Sequence, residues 1–84
     1  MERRRMWRKR IGPEWSASLR LLTPDQRWAI QLLARQMERD PSDRAMRPVI
    51  LADGRREVET TGVWVRYELR ERTREIVFIR ASKL

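Results

Sequence analysis

The sequence predicts an α+β domain in which a helical hairpin lies on a twisted antiparallel sheet, in the order β-α-α-β-β-β. Three observations carry that expectation. A capping box, Thr23-Pro24-Asp25-Gln26, opens a helix. The apolar period changes from helical to alternating after Pro48. Short apolar runs separated by tight turns then follow, which is the pattern of a meander. Helices and strands of this kind bury their apolar faces against one another in two layers.

The first strand is expected over residues 6–11, where Trp7, Lys9 and Ile11 alternate with Met6, Arg8 and Arg10. Gly12-Pro13 ends it. Residues 14–22 read as a helix because Trp15, Leu19 and Leu22 recur at spacings of four and three. The second helix runs from Pro24 to about Arg39, where Asp40-Pro41 stops it. Ala29, Ile30, Leu33 and Met37 form its apolar stripe, with Trp28 on the flank; Arg27, Gln31, Arg35 and Glu38 face the other way. The tight turn between the two makes them an antiparallel pair.

After a polar link at 41–48, Val49-Ile50-Leu51 is a short apolar run closed by Ala52-Asp53-Gly54. Arg55 to Thr61 alternates around Val58, and Gly62 marks the next turn. Along 63–69, Val63, Val65, Tyr67 and Leu69 share one face while Trp64, Arg66 and Glu68 share the other. The charged turn 70–74 leads to Glu75-Ile76-Val77-Phe78-Ile79-Arg80, apolar on both faces and so expected inside the sheet. The expected core joins Leu19, Leu22, Ile30, Leu33 and Met37 to Val63, Val65, Tyr67, Leu69 and members of 76–79, with Trp7 and Trp15 as anchors in the core or at its edge.

The 84 residues are 40% hydrophobic and 38% charged, which allows one small domain. A chain of this size lies near the lower limit for folding alone, so a partner chain or an oligomer is expected. There is no cysteine and no histidine. Disulfides, thiolate or imidazole metal sites and histidine general bases are therefore excluded, and no cofactor or metal is expected. P-loop, dinucleotide and paired-carboxylate motifs are missing as well. No apolar run approaches the roughly 20 residues that span a bilayer, and the basic N-terminus has no apolar segment of a secretory signal. The expected location is the cytoplasm, with no membrane partner.

Lys and Arg outnumber Asp and Glu by 20 to 12, a net charge of +8. The first ten residues hold six basic side chains and one acid, so most of the excess sits there. Residues 1–5 read as a basic arm and 6–84 as the domain. Arg3, Arg4, Arg5, Arg8 and Arg10 are the expected contacts to a polyanion, either nucleic acid or an acidic partner. A solvated tail that aids solubility is the competing reading. Trp64, beside Arg66 on the sheet face opposite Tyr67, would stack a base or grip a partner. Its competing reading is packing against the first strand.

Three stretches resemble the RelE/ParE toxin superfamily. Trp7 to Trp15 is similar to that family's opening strand and helix start. Leu19 to Pro41 resembles its leucine-rich first helix, short turn and second helix ending in Asp-Pro. Gly62 to Leu69, followed by Glu75 to Arg80, resembles its Tyr-bearing strand, turn and last strand. The resemblance implies a toxin of a type II toxin–antitoxin system, neutralised by an antitoxin with an acidic segment and acting on the ribosome and mRNA or on DNA gyrase. The alternative is a non-catalytic nucleic-acid-binding or phage-type regulatory protein with a toxin-like fold.

Ribosome-dependent RNases of that superfamily usually carry an Arg three positions before the strand Tyr. Here Trp64 holds that position and the Arg stands at Arg66, directly before Tyr67. The chain ends Arg80-Ala81-Ser82-Lys83-Leu84, without the Tyr or His those enzymes often carry near the C-terminus. Cleavage at a 2′-hydroxyl needs a base, a cation and an acid. Without histidine, Arg66, Tyr67, Arg70, Arg80 and Lys83 are the residues available for those roles. Tyr67 also shares its period with the expected core.

Overall fold

The computed structural model describes residues 6–84. The arm expected at 1–5, with Arg3, Arg4 and Arg5, lies outside the described residues. The elements in chain order are β1 (Arg8–Ile11), α1 (Trp15–Leu19), α2 (Pro24–Arg39), a single 3-10 turn (Arg44–Met46), β2 (Val49–Ile50), β3 (Arg56–Thr60), β4 (Val63–Arg70) and β5 (Glu75–Lys83). The architecture is α+β, a helical segment packed on a five-stranded sheet.

Local chemistry accounts for the helix boundaries. Thr23 Oγ1 accepts from the Gln26 amide at 3.2 Å, and Gln26 Oε1 accepts from the Thr23 amide at 3.0 Å. Both bonds satisfy donors that the first turn of α2 would otherwise leave unpaired. At the other end the Asp40 amide still reaches Gln36 O, and Pro41 then ends the ladder. Helix α1 is shorter than the expected 14–22. The Leu21 and Leu22 amides bond three residues back, to Ser18 and Leu19, so the chain tightens after one regular turn. Leu22 is still delivered to the core, whereas Leu21 points out.

The sheet order is β1-β5-β4-β3-β2. Strands β2 to β5 form the expected antiparallel meander, and β5 lies between two neighbours. Strand β1 lies beside the meander and runs parallel to β5, with Arg8 opposite Glu75 and Ile11 opposite Phe78. The helical segment separates β1 from the meander in sequence, so no hairpin turn dictates an antiparallel pairing. Val49-Ile50 is reduced to a two-residue edge strand, which makes five strands where the expected order has four. Thr61 and Gly62, at φ +50° and +73°, link β3 to β4; positive φ at both positions matches the twist of the flanking strands.

One face of the sheet carries Val58, Val63, Val65, Tyr67, Ile76, Phe78 and Ala81, all buried against Trp15, Leu22, Ile30, Leu33, Ala34 and Met37. Leu19, Leu69 and Trp7 are partly buried around this core. Trp15 packs on Phe78 with ring centroids 5.1 Å apart. Ser18 fastens α1 to β5. Its hydroxyl donates to Trp15 O at 2.8 Å and accepts from the Ala81 amide at 3.1 Å. No described helix is long and apolar enough to cross a membrane.

Candidate nucleic-acid interface

The helices cover one sheet face and leave the other open. Register fixes what stands there. In β4 the side chains that alternate with the core residues are Trp64, Arg66, Glu68 and Arg70. Glu57 and Glu59 of β3 face Arg66 and Trp64. In β1, Arg8 and Arg10 share the face of Glu75 and Val77.

A bulge decides the position of Arg80. From Arg70↔Glu75 to Tyr67↔Phe78 the strands pair residue for residue, but Arg66 pairs with Arg80. Ile79 is the extra residue. Simple alternation from Ile76 and Phe78 would aim Arg80 at the core. The extra residue turns Arg80 to the open face and sends Ala81 inward, where it is buried. Bulges commonly re-aim a side chain in this way.

A depression of about 440 Å³ lies on this face, lined by Gly12, Pro13, Glu14, Arg55, Arg66, Glu68, Arg70, Val77, Ile79 and Arg80. Val77 and Ile79 give it aliphatic surface, and its charged lining is four arginines against the carboxylates of Glu14 and Glu68. Glu57 holds Arg66 at 2.8 and 2.9 Å through Nη2 and Nε, which fixes the guanidinium plane. Arg70 pairs with Glu68 at 3.2 Å and Arg10 with Glu75 at 3.4 Å. These pairs are solvent-accessible, so they orient side chains more than they stabilise the fold. Arg80 makes no ion pair among the described residues. The Glu75 carboxyl is held below its usual range, chiefly by the hydrogen bond from Thr73 and further by Arg10, Arg8 and Arg70, against a smaller opposing effect of burial.

The structure brings Arg66, Arg70 and Arg80 together, with Arg55 beside them and Trp64 along the same face. Arg10 stands on the β1 side of that face and Arg8 at its end. Tyr67 does not join this group. It has no exposed surface, its hydroxyl has no hydrogen-bond partner among the described residues, and burial raises its pKa, with Arg56 opposing. Lys83 faces a different groove, between α1 and the end of β5, lined also by Ala17, Leu21 and Ser82; Arg80 borders both. Four arginines in its lining, Arg55, Arg66, Arg70 and Arg80, suit the depression to holding phosphates. The sequence pointed to Arg66 and Arg80 separately. Arg55, which follows the Gly54 turn and which the sequence placed near the sheet edge of the charged hairpin, lines the depression together with Arg70.

No protein-family model and no curated protein sequence matches the chain. Solved structures do. The chain superposes on a chain of the archaeal RelE–RelB complex from Pyrococcus horikoshii OT3 with a TM-score of 0.81 at 13% identity, covering 93% of this chain and 94% of that one. It also superposes on a chain of the toxin–antitoxin complex RelBE2 from Mycobacterium tuberculosis with a TM-score of 0.82 at 15% identity, over 100% and 98% of the two chains. At such identities the likeness lies in the backbone, and it covers every element from β1 to β5. The chain has the RelE-like toxin fold.

Proposed function

We propose that the chain is a toxin of a type II toxin–antitoxin system, that it acts by binding the ribosome and its mRNA through the open sheet face, and that an antitoxin with an acidic segment neutralises it. The observation that carries the reading is the convergence of Arg66 and Arg80, opposite each other across β4 and β5, beside the aliphatic surface of Val77 and Ile79. Guanidinium groups bind phosphates in a fixed fork, and flat apolar surface accepts unstacked bases. That combination suits RNA better than it suits a protein target such as DNA gyrase. The solved complexes of RelE-like chains with their partners support an antitoxin here. The same strongly basic surface would attract an acidic segment.

The burial of Tyr67 favours action by binding over strand cleavage, and it keeps open the reading of a non-catalytic nucleic-acid-binding regulator with this fold. Salt-dependent binding tests the reading directly. Titration of the purified chain with ribosomes and with single-stranded RNA should show log affinity falling with log salt, by about 0.7 per phosphate contact on a single strand. The double variant Arg66→Gln/Arg80→Gln should lower that slope by about 1.4. Deleting residues 1–5 should lower it further, and Trp64→Ala should weaken binding with little change in slope. A protein that binds neither probe at any salt overturns the proposal.

A further inference from the structure

Glu57 of β3, Arg66 of β4 and Arg80 of β5 form one row across three adjacent strands of the open face. Directly opposed side chains have Cβ atoms about 4.5–5.5 Å apart, and like charges at that spacing repel. Arg66 and Arg80 are such a pair. The order across the row is negative, positive, positive, and the carboxylate stands on the far side of Arg66 from Arg80.

Glu57 grips Arg66 closely. Nη2 and Nε of Arg66 both donate to Glu57 Oε2, at 2.8 and 2.9 Å. By contrast, Arg70 reaches Glu68 through Nε at 3.2 Å, along its own strand, and Arg10 reaches Glu75 through Nη1 at 3.4 Å. One longer contact lets a guanidinium rotate, whereas two short ones to one carboxylate set its plane and direction. The Glu57 side chain is 22% exposed and that of Arg66 42%, so the acid is the anchor and the guanidinium the group shown to solvent. The grip uses the edge formed by Nε and Nη2. The edge formed by Nη1 and Nη2 is turned away from the carboxylate and still has hydrogens to donate. An ion pair this accessible adds little to the stability of the fold. Strand β3 is tied to the core by the buried Val58 and to β4 by its backbone register.

We propose that Glu57 is a positioning residue for the RNA contact: it holds the Arg66 guanidinium beside Arg80 with the Nη1–Nη2 edge outward, where it meets a backbone phosphate. This rests on the reading of the open face as an RNA surface. The role has an identifiable sign. Glu57 is a negative charge beside a site for anions, so by Coulomb attraction alone its removal strengthens RNA binding. As a positioning group its removal weakens binding, because a long, mobile side chain must then be ordered at each contact, against the repulsion of Arg80.

The test measures the affinity of the full chain for single-stranded RNA, and its salt dependence, in Glu57→Gln and Glu57→Asp, and compares Arg66→Gln with Glu57→Gln/Arg66→Gln. Glu57→Gln should bind on the order of fivefold more weakly in spite of its gained net charge, with a salt slope lower by up to about 0.7. Glu57→Asp keeps a carboxylate on a shorter stem and should recover part of the loss. In the Arg66→Gln background, Glu57→Gln should weaken nothing further. Unchanged or tighter binding by Glu57→Gln, with the slope still reduced in Arg66→Gln/Arg80→Gln, overturns the positioning role and leaves the open-face reading standing. An equal loss with and without Arg66 also overturns it, because Glu57 then acts through another group. Melting temperatures check the fold. If Glu57→Gln does not fold, Arg66→Lys decides: it keeps the charge and lacks the planar fork, so weakened binding supports the role and wild-type affinity overturns it. If the wild-type chain binds no RNA, both readings fall together.

Discussion

Tyr67 shows how one position can carry two opposite expectations. The resemblance and the lack of histidine make it a candidate for chemistry, while its period with Val63, Val65 and Leu69 suggests core, and the structure buries it completely. Its hydroxyl is then a liability, because a buried donor without a partner costs about 1–3 kcal/mol. Tyr67→Phe should therefore raise stability by about 1 kcal/mol in chemical denaturation and leave RNA binding unchanged. The variant should also resist alkali better. The folded-state pKa of Tyr67 lies above the ordinary value of 10.0, so its contribution is intact below that value and lost as the pH rises through it. A destabilised variant with lost RNA binding would mean that the hydroxyl has a partner or a role at the surface. Arg80 is the converse case: alternation would aim it at the core, and a single extra residue brings it beside Arg66.

At the scale of elements, β5 does the most to assemble the molecule. It pairs with β1 and β4, carries Ile76 and Phe78 into the core, and receives α1 through Ser18. Ser18→Ala removes the acceptor for the buried Ala81 amide. Thermal or chemical denaturation should show a loss of about 1–3 kcal/mol; a loss below about 0.5 kcal/mol would mean that the bond does not hold α1 in place. Much of this scale was legible in the sequence. Thr23 and Gln26 fix the start of α2 with bonds three residues apart, and Val63 to Leu69 alternates so regularly that its buried face could be named. What could not be read depends on distant pairing. The parallel alignment of β1, the bulge at Ile79 and the extension of β5 to Lys83 are set by the neighbouring strand. Ser18 was hidden because a serine between Trp15 and Leu22 gives no apolar signal. The grouping of Arg55, Arg66, Arg70 and Arg80 was illegible for the same reason: it exists only once three segments share a face.

For the whole molecule, the fold separates two surfaces of different use. The helical layer closes the core from one side. The open sheet face collects guanidinium groups over Val77 and Ile79, and much of the net charge of +8 is carried in the first ten residues of the sequence. Such a surface is self-repelling and attracts polyanions over distances of about a Debye length, about 8 Å at physiological salt. An acidic partner would lower both effects, which gives a physical reason for the antitoxin in the proposed function. The central claim is therefore tested most directly by growth after induced expression of the chain, alone and together with the adjacent open reading frame, with protein levels followed in parallel. The account predicts arrest with the chain alone, relief by the adjacent frame, and normal growth with equal amounts of Arg66→Gln/Arg80→Gln. Normal growth with folded wild-type chain accumulating, or arrest undiminished in the double variant, would contradict it.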